Sequence, residues 1–149
     1  MRQEVLHSNE GSVEITAVDN VIYMRVRGCH TDAMAFQMTQ YLDKAMDQLS
    51  GPTIRVFDTR GILPDKFRLT SDCVQKIARW SKATSAKRPG SEAYFITEHP
   101  LLFGMARMYE LQADDDKFHA FVLKSFDELP ASIREKLPER DTSGADSPS

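Results

Sequence analysis

Asp58 has the clearest capacity for chemistry, because it ends the apolar run TIRVFD, Thr53–Asp58. A carboxylate at a strand end in an α/β protein can be a phosphoacceptor, a metal ligand or a catalytic base. A phosphoacceptor of the receiver type needs further acidic residues at the end of the first strand to hold a metal ion. The run Val21–His30, VIYMRVRGCH, supplies none. We therefore interpret Asp58 as a carboxylate that braces the following loop, through Arg60 or a backbone N–H.

Other reactive side chains do not form a recognisable catalytic or metal-binding motif. Cys29 and His30 are neighbours at a strand end, so their side chains point apart, and no motif places a second base. The histidines lie in separate segments, without the spacing of metal ligands, at His7, His30, His99 and His119. The run ADDDK lacks the alternating oxygens of a calcium loop. We expect no metal, no cofactor and no catalytic residue. The alternative is an enzyme or carrier with a pocket at the strand ends near Asp58, Arg60 and His99.

The elements that position these residues follow from periodicity and caps. In chain order they are a strand hairpin over 13–18 and 21–28, a helix capped by Thr31, a strand over 53–58, a loop through Gly61 and Pro64, a helix from near Thr70, a strand over 92–97, a helix from Pro100 to about 112, a strand over 118–123, and a closing helix to Leu137 that begins at Ser125 or Pro130. Strands separated by helices pair in parallel through right-handed crossovers. The predicted fold is a single α/β domain whose mixed sheet has an N-terminal antiparallel hairpin, then parallel strands, with helices mainly on one face.

Alternation along the strands assigns the two faces of this sheet. The face predicted to pack against the helices carries Val13, Ile15, Ala17, Ile22, Met24, Val26, Ile54 and Val56. The opposite face is predicted to carry Glu14, Thr16, Tyr23, Arg25, Arg27, Arg55, Phe57 and Tyr94. Residues 1–11 are interpreted as a lead-in, 12–137 as the domain and 138–149 as a polar tail that can be removed without loss of stability.

The element order, together with the segment GMARMYELQADDDKFHAFVLKSFDELPASI, resembles the SpoIIAA-like family, which is related to the STAS domains of anti-sigma-factor antagonists and sulfate transporters. The resemblance covers about Ser12 to Leu137. It implies a non-enzymatic regulatory module that binds a protein partner or a small ligand. In the antagonists, a serine in an Asp-Ser-Ser-Gly segment is phosphorylated, but this chain reads LTSDCVQ there. Ser71 is the nearest match, and we interpret it as a helix N-cap rather than a phosphoswitch.

The helix LLFGMARMYEL, Leu101–Leu111, is unusually apolar for a helix on the outside of a sheet. Phe103 and part of Tyr109 are expected to face outward, and the residues that can serve the core are Leu101, Leu102, Met105, Met108 and Tyr109. Either neighbouring segments bury these residues, or the helix lines a groove with adaptable methionines as its floor. Phe103, Met105 and Tyr109 are therefore candidate contacts for a ligand or partner, beside Asp58 and Arg60.

Composition excludes several classes of partner. The net charge is −3 and the basic residues are scattered, so we expect no nucleic-acid binding. No run approaches the roughly 20 apolar residues of a membrane span, and the start MRQEVLHSNEGS lacks a signal-peptide core. We expect a cytoplasmic binding module for a protein partner or an apolar small ligand. Formation of a homodimer stays open.

Overall fold

The computed structural model describes residues 2–7, 11–114 and 116–137 of the 149-residue chain. The strands are β1 (Arg2–His7), β2 (Gly11–Val18), β3 (Val21–Thr31), β4 (Ile54–Arg68), β5 (Ser91–Ile96) and β6 (Phe118–Leu123). The helices are α1 (Asp32–Asp47), α2 (Ser71–Ala86), α3 (Pro100–Ala113) and α4 (Ala131–Arg134), with a 3-10 turn at Phe126–Glu128. Within these described ranges, no helix combines the length and apolarity needed to cross a membrane.

The strands form one mixed sheet in sequence order, β1 to β6. The pairs β1–β2 and β2–β3 are antiparallel, and the later pairs are parallel. The β2–β3 reversal is at Asp19-Asn20, where Asp19 has a φ of 55° and fits the left-handed region that tight hairpins require. The mixed α/β sheet predicted from the sequence is confirmed. The segment described as a lead-in, however, contains the edge strand β1, in which Leu6 lies opposite Val13.

Helices α1, α2 and α3 pack on one face of the sheet. Under α1, the buried sheet residues are Val13, Ile15, Ile22, Met24 and Val26. Under α2 and α3, Ala93, Phe118 and Ala120 contribute to a second cluster with Val74, Ala78 and Tyr109. We call this side the helix face.

The C-terminal segment, residues 126–137, covers the other face. Its buried side chains are Phe126, Leu129, Ile133 and Leu137, and they pack on Val21, Tyr23, Val56, Tyr94 and Ile96. The single closing helix expected from the sequence is instead a 3-10 turn followed by α4, with Pro130 as the N-cap residue of α4. The centre of the sheet is therefore covered on both sides. Residues 138–149, the predicted tail, lie outside the described residues.

The predicted side-chain direction in β4 is wrong. Register pairs Ile22 with Arg55 and Tyr23 with Val56, so Arg55 lies on the helix face, whereas Ile54 and Val56 pack under the C-terminal segment. Arg55 is fully buried beneath α2. Its guanidinium carbon lies 5.4 Å from the Trp80 ring centroid and 4.9 Å from that of Phe118. Cation–π contacts of this kind let a cation occupy a position that alternation assigns to solvent.

Strand β4 also extends beyond the point where a loop was predicted. After Asp58 it continues to Arg68 alongside the end of β3, with Gly61 opposite Arg27 and Arg68 opposite Thr31. A Cβ at Gly61 would stand 2.7 Å from the Val26 carbonyl oxygen. The close approach of the two strands therefore requires glycine at this position.

Candidate functional site

A cavity of about 90 Å³ lies between the helix face of the sheet and α1, α2 and α3. Sheet residues that line it include Val26, His30, Phe57, Thr59, Phe67, Phe95 and, just after β5, Thr97. The helices contribute Met38, Leu42, Val74, Trp80, Leu102, Met105, Ala106 and Tyr109, among others. His30 and Thr97 stand at the carboxyl ends of parallel strands, where open α/β sheets commonly bind ligands.

Aromatic rings form much of the wall. Phe57 and Phe95 stack with centroids 4.7 Å apart, and Phe95 is tilted against Tyr109 at 4.8 Å. The polar atoms of the larger rings already have partners: the Trp80 indole N–H donates to Asp43 at 2.9 Å, and the Tyr109 hydroxyl hydrogen-bonds to Ser81. These rings therefore present mainly apolar surface to the cavity.

Two polar groups in the wall have no hydrogen-bond partner among the described residues, namely His30 Nδ1 and Thr97 Oγ1. His30 is 8% exposed and Thr97 is 1% exposed. By contrast, Thr59 Oγ1 in the same wall donates to the Ile96 carbonyl at 2.7 Å. A buried polar atom without a partner costs about 1–3 kcal/mol. Such atoms are rare in native structures, and they often mark functional sites.

The His30 imidazole is neutral at physiological pH. Burial lowers its pKa to about 4, against a weaker upward effect of Asp32. A neutral imidazole has one nitrogen that donates and one that accepts. The ring also stacks on Phe67, with centroids 6.4 Å apart, which holds it against the cavity wall.

Asp58 and Arg60 lie on the other face, where they form an ion pair. The Arg60 guanidinium donates to both Asp58 oxygens at 2.9 and 2.7 Å, its backbone N–H donates at 3.1 Å, and Tyr23 donates its hydroxyl at 2.5 Å. Burial favours a higher pKa for Asp58, but these hydrogen bonds and the Arg60 charge outweigh it and lower the pKa. Burial and the Asp58 charge raise the pKa of Tyr23. The predicted pairing of Asp58 with Arg60 is confirmed, within a strand rather than a loop.

Arg60 of this ion pair also makes a cation–π contact with the C-terminal segment, since its guanidinium carbon lies 6.0 Å from the Phe126 ring centroid. His99, the third residue of the alternative pocket, caps α3 by accepting from the Leu101 N–H at 3.2 Å. Asp58, Arg60 and His99 are not among the residues that line the cavity.

The predicted residues of α3 have different environments. Met105 and Tyr109 line the cavity. Phe103 is half-buried and has the Lys124 ammonium 5.7 Å from its ring centroid. Leu101, assigned to the core from the sequence, is 52% exposed, whereas its neighbour Leu102 is buried.

The capping role predicted for Ser71 belongs to Thr70. The Thr70 hydroxyl accepts from the Cys73 N–H at 3.1 Å, and it donates to the Asp32 carboxylate at 2.8 Å. Ser71 is the exposed first residue of α2. Burial, followed by the charge of Asp32, raises the pKa of the Cys73 thiol to about 12, which disfavours the nucleophilic thiolate.

Within residues 2–7, 11–114 and 116–137, no three His, Cys, Asp or Glu side chains lie close enough together to hold a metal ion.

Comparisons with protein-family models, with curated proteins and with solved structures find no match to this chain. The SpoIIAA-like resemblance therefore stays a prediction.

Sequence reasoning missed His30 and Thr97 as site residues. The strand-end rule that selected Asp58 applies equally to them. However, side-chain direction decides which of these residues reach the cavity, and Asp58 points to the other face.

Proposed function

We propose that this protein is a non-enzymatic binding module that holds a small apolar ligand in the cavity under α1, α2 and α3. The observation that carries the proposal is the aromatic-lined space of about 90 Å³ at the carboxyl ends of the parallel strands. Protein interiors are otherwise close-packed, and voids larger than a water molecule are few. A regulatory role of the SpoIIAA-like kind, in which a protein partner responds to the ligand, is the biological context we propose.

The size of the cavity limits the ligand. An engineered apolar cavity of about 150 Å³ binds benzene, so a cavity of about 90 Å³ fits one small ring after modest movement of its walls. The methionines Met38 and Met105 line it, and their unbranched side chains adapt to irregular shapes. A single ring, or the end of a longer apolar molecule, is the expected occupant.

The chemistry of the wall supports binding rather than catalysis. In the part of the chain that the structure describes, the residues that line the cavity include no Ser, Cys, Lys, Asp or Glu. Of the titratable side chains present, His30 has a pKa of about 4, and burial raises the pKa of Tyr109. Neither is tuned as a general base near neutral pH.

Thermal unfolding with benzene or toluene tests this proposal. A ligand at ten times its Kd adds about 1.4 kcal/mol to the free energy of unfolding, or roughly 3–6 °C for a chain of this size. Ala106→Leu should fill the cavity and abolish this increase. Met108→Leu is the matched control, because it changes a half-buried residue of α3 outside the cavity wall, and it should retain the increase. A wild-type protein that gains no stability from either compound would contradict the proposal.

A further inference from the structure

We infer that the ligand carries a neutral hydroxyl group on its ring, and that the Thr97 hydroxyl binds it. The inference rests on the proposed function and adds the chemical class of the ligand, a small phenol.

The first step is the contrast among the polar groups of the wall. Thr59, Trp80 and Tyr109 all have protein partners for their polar atoms. His30 Nδ1 and Thr97 Oγ1 have none among the described residues, although both side chains are more than nine-tenths buried. Unpaired polar atoms in an otherwise satisfied wall are the groups that a ligand is expected to engage.

The second step is the kind of polar group that suits Thr97. A hydroxyl on the ligand has one hydrogen to donate and two lone pairs that accept. It can therefore either donate to Thr97 Oγ1 or accept from the Thr97 hydroxyl. A ketone or ether only accepts, so it can pair with Thr97 in only one of these two ways.

The third step excludes a charged ligand. Among the described residues, no Arg or Lys lines the cavity to balance a carboxylate, and no Asp or Glu lines it to balance an ammonium. Moving an unpaired charge into an apolar interior costs far more than a hydrogen bond returns. The stacked Phe57 and Phe95 rings offer the flat apolar contact that an aromatic ring prefers.

Calorimetric titration with phenol, toluene and benzoate tests the inference, since toluene replaces the hydroxyl of phenol by a methyl group of similar size. In a purely apolar cavity toluene binds more tightly, because phenol loses its hydrogen bonds to water. We expect the wild-type protein to bind phenol more tightly than toluene, and benzoate not to bind. Thr97→Val should raise the Kd for phenol about fivefold to tenfold, as expected for the loss of one hydrogen bond, and should not raise the Kd for toluene. Thr16→Val is the control, because Thr16 is a buried threonine outside the cavity wall, and it should leave the Kd for phenol within about twofold.

The outcomes separate the two proposals. The inference of a hydroxyl-bearing ligand is wrong if toluene binds as tightly as phenol or more tightly. It is also wrong if Thr97→Val leaves the Kd for phenol unchanged. Either result would still be consistent with an apolar ligand site in the cavity. If benzoate binds as tightly as phenol, the inference that the ligand is uncharged is wrong. If neither phenol nor toluene binds, both the inference and the proposed function fail.

Discussion

Replacing Thr97 by valine should stabilise the unliganded protein. The substitution exchanges a hydroxyl for a methyl group of nearly the same volume, at a residue that is 1% exposed. In the unfolded chain the hydroxyl is hydrogen-bonded to water, whereas in the folded protein Oγ1 has no partner among the described residues. Folding therefore removes a hydrogen bond that no described residue replaces, and valine avoids this loss.

The expected gain is about 1–2 kcal/mol, the lower part of the cost of leaving a buried polar group unpaired. This corresponds to a rise in Tm of roughly 2–8 °C for a chain of this size. Thr59→Val is the matched control, because Thr59 lines the same cavity but donates to the Ile96 carbonyl at 2.7 Å. It should lower stability by about 1 kcal/mol. The same chemical change should therefore have opposite signs at the two positions.

Urea unfolding of the three proteins, followed by tryptophan fluorescence, measures these differences. The slope against urea should be unchanged in both variants, so that the midpoint reports stability alone. If Thr97→Val is less stable than the wild-type protein, Oγ1 is hydrogen-bonded in solution, and the argument for an unpaired group at this position is wrong.

Three further predictions concern stability and pH. His30 has a pKa of about 4 in the folded protein and about 6.5 in the unfolded chain. As the pH falls from 6.5 to 4, the unfolded chain is protonated at this residue before the folded protein is. The free energy of unfolding should therefore fall by about 3 kcal/mol over this range. Urea unfolding at several pH values should show a smaller loss in His30→Phe, and an equal loss would rule His30 out as the cause. Asp58→Ala should lower the free energy of unfolding by about 2–4 kcal/mol, because it leaves the Arg60 charge and the Tyr23 hydroxyl unpaired. A decrease below 1 kcal/mol in urea unfolding would show that the ion pair contributes little to stability. Phe103→Ala should lower the free energy of unfolding by about 1–2 kcal/mol, since its ring is half-buried. Calorimetry should show an unchanged Kd for phenol, and a higher Kd would place Phe103 in the ligand site.

Local signals predicted much of the fold. Thr31 caps α1 by accepting from the Met34 N–H at 3.2 Å, and Asp19-Asn20 forms the turn of the hairpin. Such features depend on residues close in the chain. The order of strands followed from short crossovers between parallel strands.

Features that depend on distant contacts were not predicted. Arg55 is buried because Trp80 and Phe118, far away in sequence, surround its guanidinium. The second half of β4 pairs with β3 although its sequence contains Gly61 and Pro64, which ordinarily indicate a loop. Neither pattern is visible in a window of a few residues.

The candidate site was predicted only in part, for a related reason. Met105 and Tyr109, two of the candidate contacts named from the sequence, line the cavity. Asp58 and Arg60 form an ion pair on the opposite face. A residue's position at a strand end follows from the sequence, but its face depends on the direction of each side chain in the sheet.

The most direct test of the account is methyl NMR with labelled methionines during titration with phenol. Met38 and Met105 line the cavity, whereas Met24 and Met46 are buried elsewhere in the core. The account predicts saturable shifts of the Met38 and Met105 methyl resonances, with those of Met24 and Met46 nearly unchanged. The absence of a saturable response at Met38 and Met105, or equal shifts at all four methionines, would contradict a ligand site in this cavity.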